Sequence, residues 1–106
     1  MRDFVALGDV LTALRQAMDL TARLSAGEHQ VFNIGSGEGL SLNSLLDLLD
    51  RSLGRHVERR YLPGRGFDVP VSVLAIDRAQ QGLGWRPQCS LQDGLQAFYS
   101  RFRFSD

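Results

Sequence analysis

An arginine and an aspartate stand three residues apart in the stretch Pro63-Gly64-Arg65-Gly66-Phe67-Asp68-Val69-Pro70. Two prolines stiffen this segment, and two glycines let its backbone come close to a ligand. A pre-set arginine grips phosphate oxygens through two parallel N–H bonds at reduced entropic cost. An aspartate beside it can accept a hydrogen bond from a sugar hydroxyl. The pair therefore suits a nucleoside diphosphate, and the plainer alternative is an Arg–Asp pair on the surface. Arg65 is also the last of five arginines that begin at Arg51, with Glu58 the one acid among them. Arg51, Arg55 and Arg60 read as a solvated face.

A second candidate is the turn Gly35-Ser36-Gly37-Glu38-Gly39, which follows the β-rich run Gln30-Val31-Phe32-Asn33-Ile34. Glycines between a strand and a helix resemble a dinucleotide-binding turn, but the third glycine of that pattern falls at Leu40. The turn reads instead as a tight strand-to-helix connection, where glycine supplies positive φ. The helix start behind it could still attract an anion. Gly35-Ser36-Gly37 is not a G-x-S-x-G elbow, and Cys89 has no activating partner in sequence. His29 and His56 lack Cys or His neighbours at ligand spacing, so no metal site is expected.

The elements that must position these residues follow from periodicity. Residues 4–7 read as an extended segment. Asp9 then caps a helix with Val10, Leu14, Ala17 and Met18 on one face, widened by Leu11, running to about Leu24 and stopping near Gly27. Residues 30–34 read as a buried strand. Ser41 caps a second helix with Leu42, Leu45, Leu46, Leu49 and Leu53 on one side and Gly54 as its stop. Residues 57–62 read as a strand with Val57, Arg59 and Tyr61 on one face, and 71–76 as another extended segment. Asp77 caps a short helix through Leu83, and Trp85 anchors the turn after it. Ser90 and Asp93 open a last amphipathic helix with Leu91, Leu95, Phe98 and Phe102 in its stripe and Tyr99 beside it. The alternation predicts an α/β domain.

Composition narrows the function classes. All twelve cations of the 106 residues are arginine, balanced by nine Asp and three Glu to a net charge of +0. Such a chain has no global field for nucleic acid, and the arginine cluster with Tyr61 and the Arg101-Phe102-Arg103-Phe104 run makes only a weak case. The one cysteine permits no internal disulfide, and no apolar run is long enough to span a bilayer. A cytoplasmic protein without nucleic-acid or membrane partners is expected.

Arg2-Asp3-Phe4-Val5, Val31-Phe32-Asn33-Ile34-Gly35-Ser36-Gly37, the 63–70 loop and Leu83-Gly84-Trp85 occur together in one order and spacing. The chain thereby resembles the C-terminal third of extended short-chain dehydrogenases, the NAD-dependent nucleotide-sugar epimerases and dehydratases. The resemblance implies a remnant of the parallel Rossmann-type sheet over residues 1–40 and a small α/β substrate-binding domain over 41–106. It assigns Arg2 and Arg65 to the diphosphate of a UDP- or dTDP-sugar and Asp68 to the ribose. It implies NAD as the parent enzyme's cofactor. The family's chemistry uses a Tyr-x-x-x-Lys pair, but the two tyrosines here are followed four residues on by Arg65 and Arg103, and there is no lysine. No catalytic residue and no NAD binding are therefore expected of this chain alone. Phe67 stands where the family places glycine before the aspartate, which bears on which substrate is taken. The alternative reading is a stand-alone small α/β module acting by self-association or partner binding, and a homodimer is expected from its unpaired apolar surface.

Overall fold

The computed structural model describes residues 1–101. Four helices occupy the stretches that helical periodicity marked: α1 (Leu7–Thr21), α2 (Leu42–Leu53), α3 (Asp77–Gly82) and α4 (Leu91–Ser100). Two of the predicted N-caps form as expected, and so does one C-cap. The Ser41 hydroxyl accepts from Ser44 N at 3.1 Å, and Gly54 closes α2 at φ 70°. The Ser90 hydroxyl accepts from Asp93 N at 3.1 Å and starts α4. Phe102 and the rest of the Arg101-Phe102-Arg103-Phe104 run, Arg101 excepted, lie outside the described residues.

The other two starts differ from expectation. Ala6, not Asp9, is the N-cap of α1, and Ile76, not Asp77, precedes α3. Asp9 is drawn into the first turn because its carboxylate serves another segment, accepting from Cys89 N at 3.0 Å. It still sits at the positive end of the helix dipole. The far end of α1 comes at Thr21, short of Leu24. There Thr21 Oγ1 donates back to the Met18 carbonyl, a local bond that competes with continuing the helix.

The core is small and centres on Trp85, which is 1% exposed. Ala13 of α1, Ile76 and Ala79 complete its buried part, with Phe32, Ile34 and Leu83 packed against it. The indole Nε1 donates to the Asp9 carbonyl at 2.8 Å, so the predicted anchor ties the 82–87 turn to α1. Phe32 lies so close to Gly82 that a Cβ there would meet its ring at 2.6 Å. The face of α1 that packs is thus the Ala13 side. Leu11, Leu14 and Met18, placed by periodicity on one apolar face of this helix, are 56, 57 and 72% exposed.

The predicted strands do not form a sheet. Among the described residues the only β pairings are two isolated bridges, Arg2 antiparallel to Leu40 and Arg2 parallel to Ser72. Alternating apolar residues favour an extended chain, but a ladder also needs a second backbone at hydrogen-bonding distance. Segments 30–34 and 57–62 find none here. The expected α/β class is met in its helices and element order and corrected in its sheet. The radius of gyration is 17.3 Å. A compact chain of this length would have roughly 13 Å, so the molecule is an open arrangement around a small core.

Candidate functional site

The loop singled out from sequence is organised around one turn. Asp68 N donates to the Arg65 carbonyl at 3.1 Å, which folds residues 65–68 back on themselves. Arg65 Nε then donates to Asp68 Oδ2 at 3.0 Å, and its guanidinium carbon lies 5.0 Å from the centre of the Phe67 ring. The ion pair and the ring hold the arginine without enclosing it: the Arg65 side chain is 68% exposed and that of Asp68 40%. Only Nε is engaged, so both Nη groups remain without a partner among the described residues. The Arg–Asp surface pair weighed from sequence is what forms, and it leaves the Nη edge of the fork open.

Met1, the residue before Arg2, reaches the end of this loop through backbone. The Met1 nitrogen donates to the Pro70 carbonyl at 2.6 Å, and Ser72 N donates to the Met1 carbonyl at 3.0 Å. Arg2 N and O exchange hydrogen bonds with Leu40, both at 2.9 Å. The Arg2 guanidinium donates to the Met1 carbonyl, and no hydrogen bond or ion pair joins it to Arg65 or Asp68 among the described residues. Arg65 and Asp68 are therefore together, while Arg2 sits at the exit of their loop with its side chain apart.

The residue that sequence reading passed over is Asp3. Its Oδ1 accepts from Ser36 N and Ser36 Oγ, both at 2.7 Å. Its Oδ2 accepts from Gly37 N at 3.1 Å and Leu74 N at 3.2 Å. Burial raises the pKa of this carboxyl, but the hydrogen bonds from Ser36, Leu74 and Gly37 outweigh it and leave it below the ordinary carboxylate range. The anion that the glycine turn attracts is thus the chain's own. Gly35 makes room for it, since a Cβ there would lie 2.7 Å from Oδ2. The signal was in the sequence: an acid beside Arg2, and a turn with free N–H groups that needed an acceptor.

A third cluster joins α2 to the run before the loop. Arg59 Nη2 donates to Asp47 Oδ1 at 2.6 Å and to Asp50 Oδ2 at 3.1 Å. Val57 N donates to Asp50 Oδ1 at 2.7 Å, and His56 Nδ1 lies 3.3 Å from Asp50 Oδ2. The Val57 hydrogen bond first, then the charges of His56 and Arg59, hold Asp50 below the usual carboxylate range despite burial. Separately, an open apolar groove of about 810 Å³ runs between the start of α1 and α4, lined by Leu7, Leu11, Leu45, Leu95 and Phe98 among others. A neighbouring recess of about 450 Å³ is lined by Phe4, Glu38, Pro87 and Cys89 among others. Arg2, Arg65 and Asp68 line neither.

No protein-family model matches the chain. A UDP-glucuronate 4-epimerase of Thermodesulfobacterium geofontis is 30% identical over 96 residues, covering 90% of this chain and 28% of the relative. The crystal structure of a Thermotoga maritima UDP-glucose 4-epimerase with UDP-glucose superposes with a TM-score of 0.77 at 39% identity, over 93% of this chain and 31% of that one. The chain is related to the C-terminal portion of extended short-chain dehydrogenases of the UDP-glucose 4-epimerase type. It spans under a third of the length of these epimerases. A Bifidobacterium longum epimerase, in complex with NAD⁺ and UDP, superposes at a TM-score of 0.80 and 17% identity, a likeness of fold.

The epimerase type implies NAD, so the one turn here that resembles a dinucleotide site can be tested for fit. Its Ser36 and Gly37 N–H groups are taken by the Asp3 carboxylate, and Leu40 stands at the third glycine position. A pyrophosphate would have to displace a bound carboxylate from the same donors. The turn does not fit the cofactor. Among the described residues no cluster of His, Cys, Asp or Glu could hold a metal ion, and no helix is long and apolar enough to cross a membrane.

Proposed function

We propose that this chain is the nucleotide-sugar-binding portion of an NAD-dependent sugar-nucleotide epimerase or dehydratase, and that it holds a UDP- or dTDP-sugar without catalysing its conversion. The observation that carries this reading is the 65–68 turn, with its exposed arginine held by Asp68 and Phe67 and its Nη edge free. Arg65 grips the diphosphate and Arg2 adds charge to it from the exit of the loop. Asp68 accepts from the ribose hydroxyls with the lone pairs that its bond to Arg65 leaves. The Thermotoga maritima relative, whose structure contains UDP-glucose, supports the choice of ligand. Residues 1–40 belong in this reading to the cofactor-binding fold and 41–106 to the substrate domain. Hydride transfer and its Tyr-x-x-x-Lys pair lie outside this chain, which has no lysine.

Calorimetric titration with UDP, with dTDP and NAD alongside, tests the proposal. Binding of UDP or dTDP but not NAD is expected, and an Arg65→Ala/Asp68→Ala double variant should lose it. Undiminished nucleotide affinity in that variant would refute the assignment.

A second reading rests on the exposed row Leu7, Leu11, Leu14 and Met18 along α1. An apolar stripe of this kind recruits a partner, and a homodimer would cover it. Sedimentation over a wide concentration range tests this, and a monomer throughout would exclude it.

A further inference from the structure

Segment 57–61 has no strand partner, yet it is fastened at three successive points. Val57 N bonds to Asp50, Arg59 bonds to Asp47 and Asp50, and Tyr61 Oη donates to Asn43 Oδ1 at 3.1 Å. Val57 is held by its backbone N–H, while Arg59 and Tyr61, two residues apart and so on one face of an extended chain, are held by their side chains. Along α2 the positions step back from 50 to 47 to 43, which is one face of a helix. The run therefore lies antiparallel on α2, from its C-terminal end toward its N-terminal end. The face that Arg59 and Tyr61 share, read from sequence as the side of a strand, instead meets a helix. Tyr61 is the last of these fixed points, and the loop opens two residues later at Pro63.

Arg59 is the centre of the fastening. Its side chain is 17% exposed, and one nitrogen, Nη2, spans two carboxylates a turn apart on α2. Its Nε is buried without an acceptor. The clamp is thus a charge held between two charges, rather than a full bidentate fork.

We propose that Arg59 is a positioning residue, which by bridging Asp47 and Asp50 holds the 57–61 run on α2 and so sets where the following loop presents Arg65 and Asp68. The ordering of the loop stands on the geometry alone. Its consequence for nucleotide affinity rests on the function proposed above.

Amide hydrogen exchange on the full 106-residue chain, followed at Val57 and Asp68, provides the test. Arg59→Met keeps most of the side-chain volume and removes the charge. It is expected to speed exchange at both amides about tenfold while α1 and α4 keep their rates. Because the clamp uses a single nitrogen, Arg59→Lys should restore slow exchange, which a loss of packing would not explain. A UDP titration of the same variants should show affinity falling about tenfold in Arg59→Met and recovering in Arg59→Lys. Unchanged exchange in Arg59→Met, or faster exchange spread over every helix, would overturn the proposal. If the wild-type chain does not bind UDP, the nucleotide assignment fails, and the exchange data still decide the role of Arg59.

Discussion

Replacing Asp3 is the sharpest test of how the Arg2-Asp3-Phe4 segment organises the molecule. Its carboxylate accepts from Ser36 N, Ser36 Oγ, Gly37 N and Leu74 N, joining three separate stretches of chain. A hydrogen bond to a charged group contributes roughly 1.5–3 kcal/mol net when buried, and less where water can substitute. This site is half-buried, so the three backbone donors are taken at about 1 kcal/mol each, and Asp3→Ala should cost about 3 kcal/mol. Asp3→Asn keeps one acceptor oxygen but turns an NH₂ toward N–H donors, and about 2 kcal/mol is expected. Either is a large share of the roughly 5–15 kcal/mol of a typical domain. Urea unfolding followed by the fluorescence of Trp85, the single tryptophan, measures it. The pH dependence supplies an independent check. The folded pKa is lowered from 3.8, so the carboxylate's contribution is present above that value and is lost as pH falls through the folded pKa. Wild-type stability should therefore drop below about pH 4, with this component absent in Asp3→Asn. A change of under about 0.5 kcal/mol in Asp3→Ala would refute the view that Asp3 holds the turn.

Other expectations are more local. Gly35→Ala puts a Cβ 2.7 Å from Asp3 Oδ2 and should cost about 1–3 kcal/mol, with a smaller cost in an Asp3→Ala background where the oxygen is gone. Trp85→Phe removes the Nε1 bond to the Asp9 carbonyl and leaves a void in the small core, and a loss of about 2–3 kcal/mol is expected from thermal unfolding followed by circular dichroism. Ser41→Ala removes the cap that bonds Ser44 N and should lower stability by about 1 kcal/mol in urea titration. Leu11→Gln with Leu14→Gln changes two exposed residues of α1 and should leave monomer stability within about 0.5 kcal/mol, while abolishing any concentration-dependent dimer seen by sedimentation.

Local chemistry was legible in the sequence. Ser41, Gly54 and Ser90 bound their helices where expected, because a cap is decided within a few residues. Trp85 as an anchor and Arg65 with Asp68 on one loop were legible for the same reason: one is a large apolar group beside a glycine turn, the other an ion pair three residues apart. Interactions between residues distant in sequence were decided only by the tertiary structure. Asp9 left its expected cap because Cys89, 80 positions away, offers its N–H, and Asp3 took the glycine turn because Ser36, Gly37 and Leu74 converge on it. Strand assignment failed for a related reason. Alternation in 57–62 determines that one face must find a partner, but not whether that partner is a strand or a helix, and here α2 supplies it through Asp47 and Asp50. Residue type sets what each group can bond, and only the packed chain decides which groups come within reach.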